Sequence, residues 1–117
     1  MNPKLGIVIL HFTNLPQARE FYAETVGLPV IDAQSDDHFV TLQAANSLVG
    51  LSAEPGAPAA GTTEIGFEVG DVDGTYRDWK AKGVTLLSEP GDFPFGRSFD
   101  AQDPEGHRLN IYKVRSN

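Results

Sequence analysis

The side chains best suited to chemistry in this sequence are two glutamates and a polar row near its end. Glu64 and Glu68 lie in an alternating segment, and a carboxylate on an apolar wall can act as a general base for proton abstraction. Arg108, Asn110 and Tyr112 occupy alternate positions, and an arginine there can hold a ligand carboxylate or phosphate with two hydrogen bonds. The alternative for Arg108 is an internal ion pair with Glu64 or Glu68. Nucleophilic catalysis has no support, because the chain has no cysteine and no serine with a nearby histidine signature.

The elements that position these residues follow the order βαβββ twice. Asn14 and Asp71 are predicted helix N-caps, and Gly27 and Gly83 are predicted left-handed C-caps. The predicted helices span 15–26 and 72–82, and the predicted strands span 4–12, 29–33, 38–43, 47–53, 64–69, 84–88, 96–101 and 107–114.

The two halves of the chain repeat each other at an offset of 57 residues, which matches Asn14 with Asp71. A one-residue slip then matches Gly27 with Gly83. Between the halves, EPGAPAAGTT (54–63) is rich in proline and glycine and is typical of a linker. We therefore predict a single domain, 1–117, built from modules 1–53 and 64–117.

Composition excludes several classes of partner. The chain has 117 residues, of which nine are basic and sixteen acidic, giving a net charge of −7. An acidic surface repels phosphate backbones and anionic lipid, so neither nucleic acid nor a membrane is an expected partner. The apolar start of the chain is too short for a signal peptide, and a cytoplasmic location is the expectation.

The strand faces predict where a ligand binds. Apolar rows such as Val8, Leu10 and Phe12 must pack on the helices, which leaves mixed rows on the other side of the sheet. The expected α+β fold is therefore a curved mixed sheet, a cup, with the helices on its convex side. Phe39 and Phe99 are the candidate apolar wall of the cavity, with plain core packing as the alternative. The predicted ligand-binding residues are Ile7, Ile9, His11, Phe39, Glu64, Glu68, Phe99, Arg108, Asn110 and Tyr112.

Two stretches, NLPQAREFYAETVGLPV and GRSFDAQDPEGHRLNIYK, together with the paired βαβββ order, resemble the vicinal oxygen chelate superfamily. That superfamily includes glyoxalase I, extradiol dioxygenases and bleomycin-resistance proteins, and the resemblance covers essentially the whole chain. It implies a concave sheet that holds a small molecule, often at or near a dimer interface.

The resemblance also implies four metal-ligand positions, on the first, fourth, fifth and eighth strands. Here those positions carry Ile7, Gly50, Glu64 and Asn110, and of these Glu64 alone is a natural ligand. Because a tightly held divalent ion normally needs three or four protein ligands, we predict no metal and no cofactor.

The histidines give little support for a different metal site. His11 shares the mixed face with Glu64 and Glu68, but it lies two pleats, roughly 13 Å, from Ile7 along the strand. His38 and His107 fall near strand starts and are expected to point to solvent.

Two functions agree with this reading. The first is a metal-free binding protein of the bleomycin-resistance type that sequesters an aromatic or cationic compound. The alternative is a glyoxalase-like lyase, isomerase or dioxygenase, metal-free or with a non-standard metal site, for which Glu64 and Glu68 are the candidate catalytic bases. The sequence identifies neither the ligand nor a reaction.

A homodimer is expected, because a short chain leaves open sheet edges that are usually covered. The stretch EPGDFPFGR, 89–97, is predicted to be a turn-rich loop that serves either as a lid over the cavity or as a dimer contact.

Overall fold

The computed structural model describes residues 5–54 and 63–115 and has an α+β architecture. The chain divides into two compact units, Met1–Ala60 and Gly61–Asn117. The predicted linker lies outside the described residues, apart from positions 54 and 63. That both modules belong to one domain stays a prediction. Neither described α-helix has the length and apolar character needed to cross a bilayer.

The first unit is a three-stranded sheet with a helix against it. Its strands β1, β2 and β3 are Ile7–His11, Phe39–Ala44 and Ser47–Ser52, and its helix α1 is Leu15–Glu20. The strand order is β1-β3-β2, with β1 parallel and β2 antiparallel to β3. Because α1 packs against β2 and β3, the fully buried Leu10, Leu42 and Leu51 form a core on that side.

Helix α1 begins as the sequence predicts but ends differently. The Asn14 carboxamide oxygen accepts a hydrogen bond from the Gln17 N–H at 3.1 Å, which confirms the N-cap. After Glu20 the chain widens into a π-helical turn, Phe21–Thr25, in which N–H groups bond carbonyls five residues back. Gly27, at φ 90°, then ends the helical segment.

The predicted strand 29–33 is wrong apart from one bridge, in which Val30 pairs with Leu42. Beyond it the chain makes a 3₁₀ turn, Asp32–Gln34. The Ser35 hydroxyl donates to the Ile31 carbonyl at 2.8 Å and thereby holds the chain in this turn.

The second unit has a five-stranded sheet. Its strands β4 to β8 are Glu64–Glu68, Thr85–Leu86, Gly91–Phe93, Gly96–Gln102 and Arg108–Val114, and its helix α2 is Val72–Ala81. The order is β4-β8-β7-β5, with β6 paired to β7. Because β4 is parallel and β7 antiparallel to β8, this unit repeats the strand order of the first, which confirms the predicted repeat.

Helix α2 covers one face of this sheet. The Asp71 carboxylate caps it by accepting the Gly74 N–H at 2.9 Å, and Gly83 follows its end at φ 80°, as predicted. Phe99 of β7 meets Tyr76 and Trp79 of α2 edge-on, with ring centroids 5.3 and 5.8 Å apart. The aromatic core of this unit therefore lies between α2 and β7.

The segment predicted as a loop, 89–97, is a β-hairpin instead. Strand β6 pairs antiparallel with β7, and Phe93 is opposite Gly96 across the tight turn. Pro94 lies in the turn and Gly96 directly follows the turn, whereas Pro90 precedes β6 and Gly91 begins this strand, whose residues pair with β7.

The turn between β7 and β8 contains a buried, hydrogen-bonded pair of Asp103 and His107 that the sequence analysis did not predict. Gly106 takes φ 92° in this turn. The Asp103 carboxylate accepts the N–H groups of Glu105 and His107 at 2.9 and 3.0 Å and contacts His107 Nδ1 at 2.8 Å. His107 is therefore buried, and the expectation that it points to solvent is wrong.

Candidate functional site

Most of the predicted polar residues lie on one face of the second unit, the side of the sheet that points away from α2. We call it the helix-distal face. The strand register defines it, because Phe99 and Ile111 are opposite each other on the α2 side, so their neighbours Asp100 and Asn110 point the other way. The predicted residues on this face are Glu64, Glu68, Arg108, Asn110 and Tyr112.

Four residues form a polar cluster on this face: Glu64, Asp100, Arg108 and Asn110. Asp100 accepts hydrogen bonds from Arg108 Nη2 at 2.6 Å and from Asn110 Nδ2 at 2.8 Å. Glu64 lies 3.6 Å from Arg108 Nε, so the predicted alternative of an internal ion pair for Arg108 is confirmed.

Asp100 is ionised at the centre of the polar cluster. Burial alone raises the pKa of this carboxyl, but the hydrogen bonds from Asn110 and Arg108 and the arginine charge outweigh burial and hold its pKa below the ordinary value. The hydrogen bond from Arg108 to Asp100 raises the pKa of Arg108 in turn. The cluster is therefore a pre-formed set of charged groups.

An aromatic cluster of Phe93, Phe95 and Tyr112 adjoins it. Phe93 and Phe95 are stacked with centroids 5.8 Å apart, and Phe95 meets Tyr112 edge-on at 6.4 Å. The Tyr112 ring lies over Gly66, where an added Cβ would be 3.4 Å from the ring. Phe93 and Phe95 remain 47% and 48% exposed, so a flat apolar surface is available beside the polar groups.

Four of the other predicted residues belong to the first unit. Ile7, Ile9 and His11 alternate along β1, and both isoleucines are exposed. His11 Nδ1 is buried and has no hydrogen-bond partner among the described residues. Phe39 of β2 lies over Gly50, whose missing side chain makes room for the phenyl ring.

Phe99 is not part of a cavity wall. It is 1% exposed and packs against α2, so the alternative of core packing is correct and we remove it from the candidate site. The sequence reading missed Asp100. The turn at Asp103–Gly106 could have identified Asp100, because this turn sets the strand register. That register pairs Asp100 with Asn110 and Phe99 with Ile111.

Two of the metal-ligand positions that the resemblance implies carry side chains that contact other residues. The described residues contain no group of three or more histidine, aspartate or glutamate side chains placed to hold an ion. Asn110 turns its amide nitrogen toward Asp100, and the Glu64 carboxylate lies beside Arg108. At Gly50 any side chain would collide with the Phe39 ring. We derive no chemistry through a metal.

Comparison with known proteins agrees with this fold. The model of the Glyoxalase/Bleomycin resistance protein/Dioxygenase superfamily matches residues 4–111, and the chain belongs to that superfamily.

Three of the proteins to which this chain is similar are described by sequence identity and coverage. The chain is 30% identical to the anthracycline biosynthesis protein DnrV of Streptomyces peucetius, over 95% of this chain and 42% of DnrV, so it spans less than half of that relative. TnmS3, an antibiotic binding protein from Streptomyces sp. CB03234, aligns with a TM-score of 0.84 at 22% identity, covering 97% and 98% of the two chains. Protein ATC0852 from Agrobacterium tumefaciens aligns at 0.83 and 31% identity, covering 98% and 100%.

Proposed function

We propose that this protein binds a small aromatic, cationic organic molecule on the helix-distal face, without a metal at the family site. The observation that carries the proposal is the exposed aromatic cluster beside the ionised polar cluster. Apolar surface that gives non-directional burial, next to a few fixed polar groups that orient a ligand, is the usual composition of a small-molecule site.

The aromatic cluster supplies the binding free energy. Burying a phenylalanine side chain fully is worth about 1.5–3 kcal/mol, so a flat ring that covers the exposed halves of Phe93 and Phe95 gains roughly half of that at each. Offset stacking or edge contact with the rings adds to the apolar term. A ligand with a planar ring system therefore gains more on this surface than a flexible aliphatic one.

Glu68 supports a positive charge on the ligand. It is exposed, it is the register partner of Tyr112, and it makes no ion pair with the described residues. A cation beside Tyr112 would meet both the ring face and this carboxylate. The net charge of −7 also draws cations toward the protein.

The relatives support a ligand of this kind. One is named for anthracycline biosynthesis and another is described as an antibiotic binding protein. Those descriptions apply to those proteins, and here they add weight to an aromatic natural product as the ligand class.

No specific observation favours the enzymatic alternative. The general-base hypothesis for Glu64 and Glu68 requires a carboxylate on an apolar wall, whereas both residues are exposed. Glu64 is in addition paired with Arg108. A binding role needs neither a base nor a metal.

The proposal is tested by titrating the protein with an anthracycline and following the unfolding temperature. A ligand present at a hundred times its Kd should add about 2.7 kcal/mol of stability. Phe95→Ala should weaken binding about tenfold, Phe95→Leu less, and Glu68→Gln about threefold.

Asp78→Asn is the matched control for the charge change, because it removes one carboxylate from α2, on the other side of the sheet. It should leave affinity unchanged. If the anthracycline does not stabilise the protein, or if Phe95→Ala and Glu68→Gln bind it as the original chain does, the proposal is wrong.

A further inference from the structure

A second concave surface of the second unit lies away from both clusters. It is a cleft of about 280 Å³ lined by Asp92, Gly96, Arg97, Lys113, Val114 and Arg115. Arg97 and Lys113 are register partners, and Arg97 is bonded to Asp73 of α2, so these two side chains point to the α2 side of the sheet. The cleft therefore does not depend on the function proposed for the helix-distal face.

The cleft gathers positive charge in an acidic protein. Three of the nine basic residues of the chain line it, with one carboxylate, Asp92. Arg97 is matched by Asp73 and Asp92, so the positive charge in excess comes from Lys113 and Arg115, and it is opposite in sign to the net charge of −7 of the whole chain.

Arg97 is held rigidly in the wall. Its Nε and Nη2 donate to the two Asp73 oxygens, each at 2.8 Å, and its Nη1 donates to Asp92 at 3.0 Å. Asp73 thus fixes the guanidinium plane. Asp92, whose side chain is 74% exposed, places a carboxylate where an incoming anion would meet the arginine.

Lys113 and Arg115 both have side-chain hydrogen-bond donors that the described residues do not use. The Lys113 side chain makes no hydrogen bond or ion pair with the described residues, and Arg115 uses Nη2 for the Phe93 carbonyl at 3.1 Å. Two cations that share a cleft repel each other, and an anion that accepts from both removes this repulsion.

We propose that this cleft binds a phosphate-type oxyanion, with Lys113 and Arg115 as the direct donors beside the Arg97 guanidinium that Asp73 and Asp92 hold in place. The volume exceeds that of one phosphate group and is close to the lower end, about 300 Å³, of small-molecule sites. The remaining volume can hold a small organic group attached to the anion. Free phosphate and a phosphate monoester share this chemistry and are separated by the test.

The test is calorimetric titration of the full chain with inorganic phosphate and with phenyl phosphate, at constant ionic strength set with chloride. Lys113→Gln and Arg115→Gln should each weaken binding of the probe about tenfold. Asp92→Asn should strengthen it about threefold, because it removes the competing carboxylate. Lys80→Gln, near the far end of α2, is the control with the same charge change, and it should have no effect.

Tighter binding of phenyl phosphate than of inorganic phosphate would assign the cleft to a monoester, and equal binding would assign it to the free anion. The proposal is overturned if neither probe binds. It is equally overturned if Lys113→Gln behaves like Lys80→Gln, or if Asp92→Asn weakens binding.

Discussion

Asn110 donates a hydrogen bond from Nδ2 to Oδ1 of Asp100 at 2.8 Å, directly across the β7–β8 pair. This bond fixes the orientation of both side chains. Arg108, on the same strand as Asn110, donates a second hydrogen bond to Asp100. The asparagine in the middle of the last strand therefore orients a carboxylate by donating to it, whereas a glutamate there would repel the same carboxylate.

Replacing Asp100 by asparagine should destabilise the protein by about 1 kcal/mol near neutral pH. The Asp100 side chain is 21% exposed but Arg108 is half exposed, so solvent screens part of the pair. Because the folded-state pKa of Asp100 lies below its ordinary value of 3.8, its contribution is complete above about pH 5 and is lost as pH falls below 3.8.

Urea unfolding of the original chain and Asp100→Asn at several pH values measures this difference. The gap between the two should stay constant from pH 8 to about pH 5 and close in acid. A gap that widens below pH 4 would show that Asp100 is not stabilised in its ionised form.

Gly96→Ala should destabilise the hairpin strongly, by about 3 kcal/mol or more. Gly96 has φ 152°, and an added Cβ would overlap the Lys113 carbonyl oxygen and lie 2.9 Å from the Arg115 nitrogen. Both neighbours are backbone atoms, so they cannot move aside as a side chain can. Thermal unfolding measures the effect, and Gly6→Ala, at an open position, is the control. Equal unfolding temperatures for the two variants would contradict this reading.

Metal should neither copurify with the protein nor stabilise it. The family positions carry Ile7, Gly50, Glu64 and Asn110, which together offer too few donors for tight binding. Elemental analysis after dialysis should give far less than one transition metal per chain, and added Zn²⁺ or Ni²⁺ should leave the unfolding temperature unchanged. One ion per chain that disappears in Glu64→Ala would refute the expectation.

The chain should form a homodimer at micromolar concentration. Strand β1 lies at the edge of its sheet, and its apolar Ile7 and Ile9 are exposed. Light scattering should give twice the chain mass, and Ile9→Asp should shift the population toward single chains. A monomeric original chain would exclude this assembly.

The repeated strand order was predictable from the sequence because it depends on local signals. Asn14 and Asp71 start the helices and Gly27 and Gly83 end them, and each of these features acts through its own backbone neighbourhood.

The polar cluster was only partly predictable. The alternation along β8 placed Arg108 and Asn110 on one face, but their partner Asp100 depends on pairing between strands. His107 is buried because its ring contacts the Asp103 carboxylate. The alternation of polar and apolar residues along a strand does not predict such a contact. The segment 89–97 has the prolines and glycines typical of a loop, and its strand β6 forms only because it pairs with β7.

The π-helical turn at Phe21–Thr25 explains the one-residue slip in the internal repeat. An i→i+5 hydrogen bond encloses one residue more than an i→i+4 bond, and the first half has one residue more than the second between its N-cap and its terminal glycine. The π-helical turn thus accommodates one inserted residue within the helix. The N-cap and the strands that follow keep their positions. Deleting Ala23 should accordingly give a regular α-helix of the length seen in the second half.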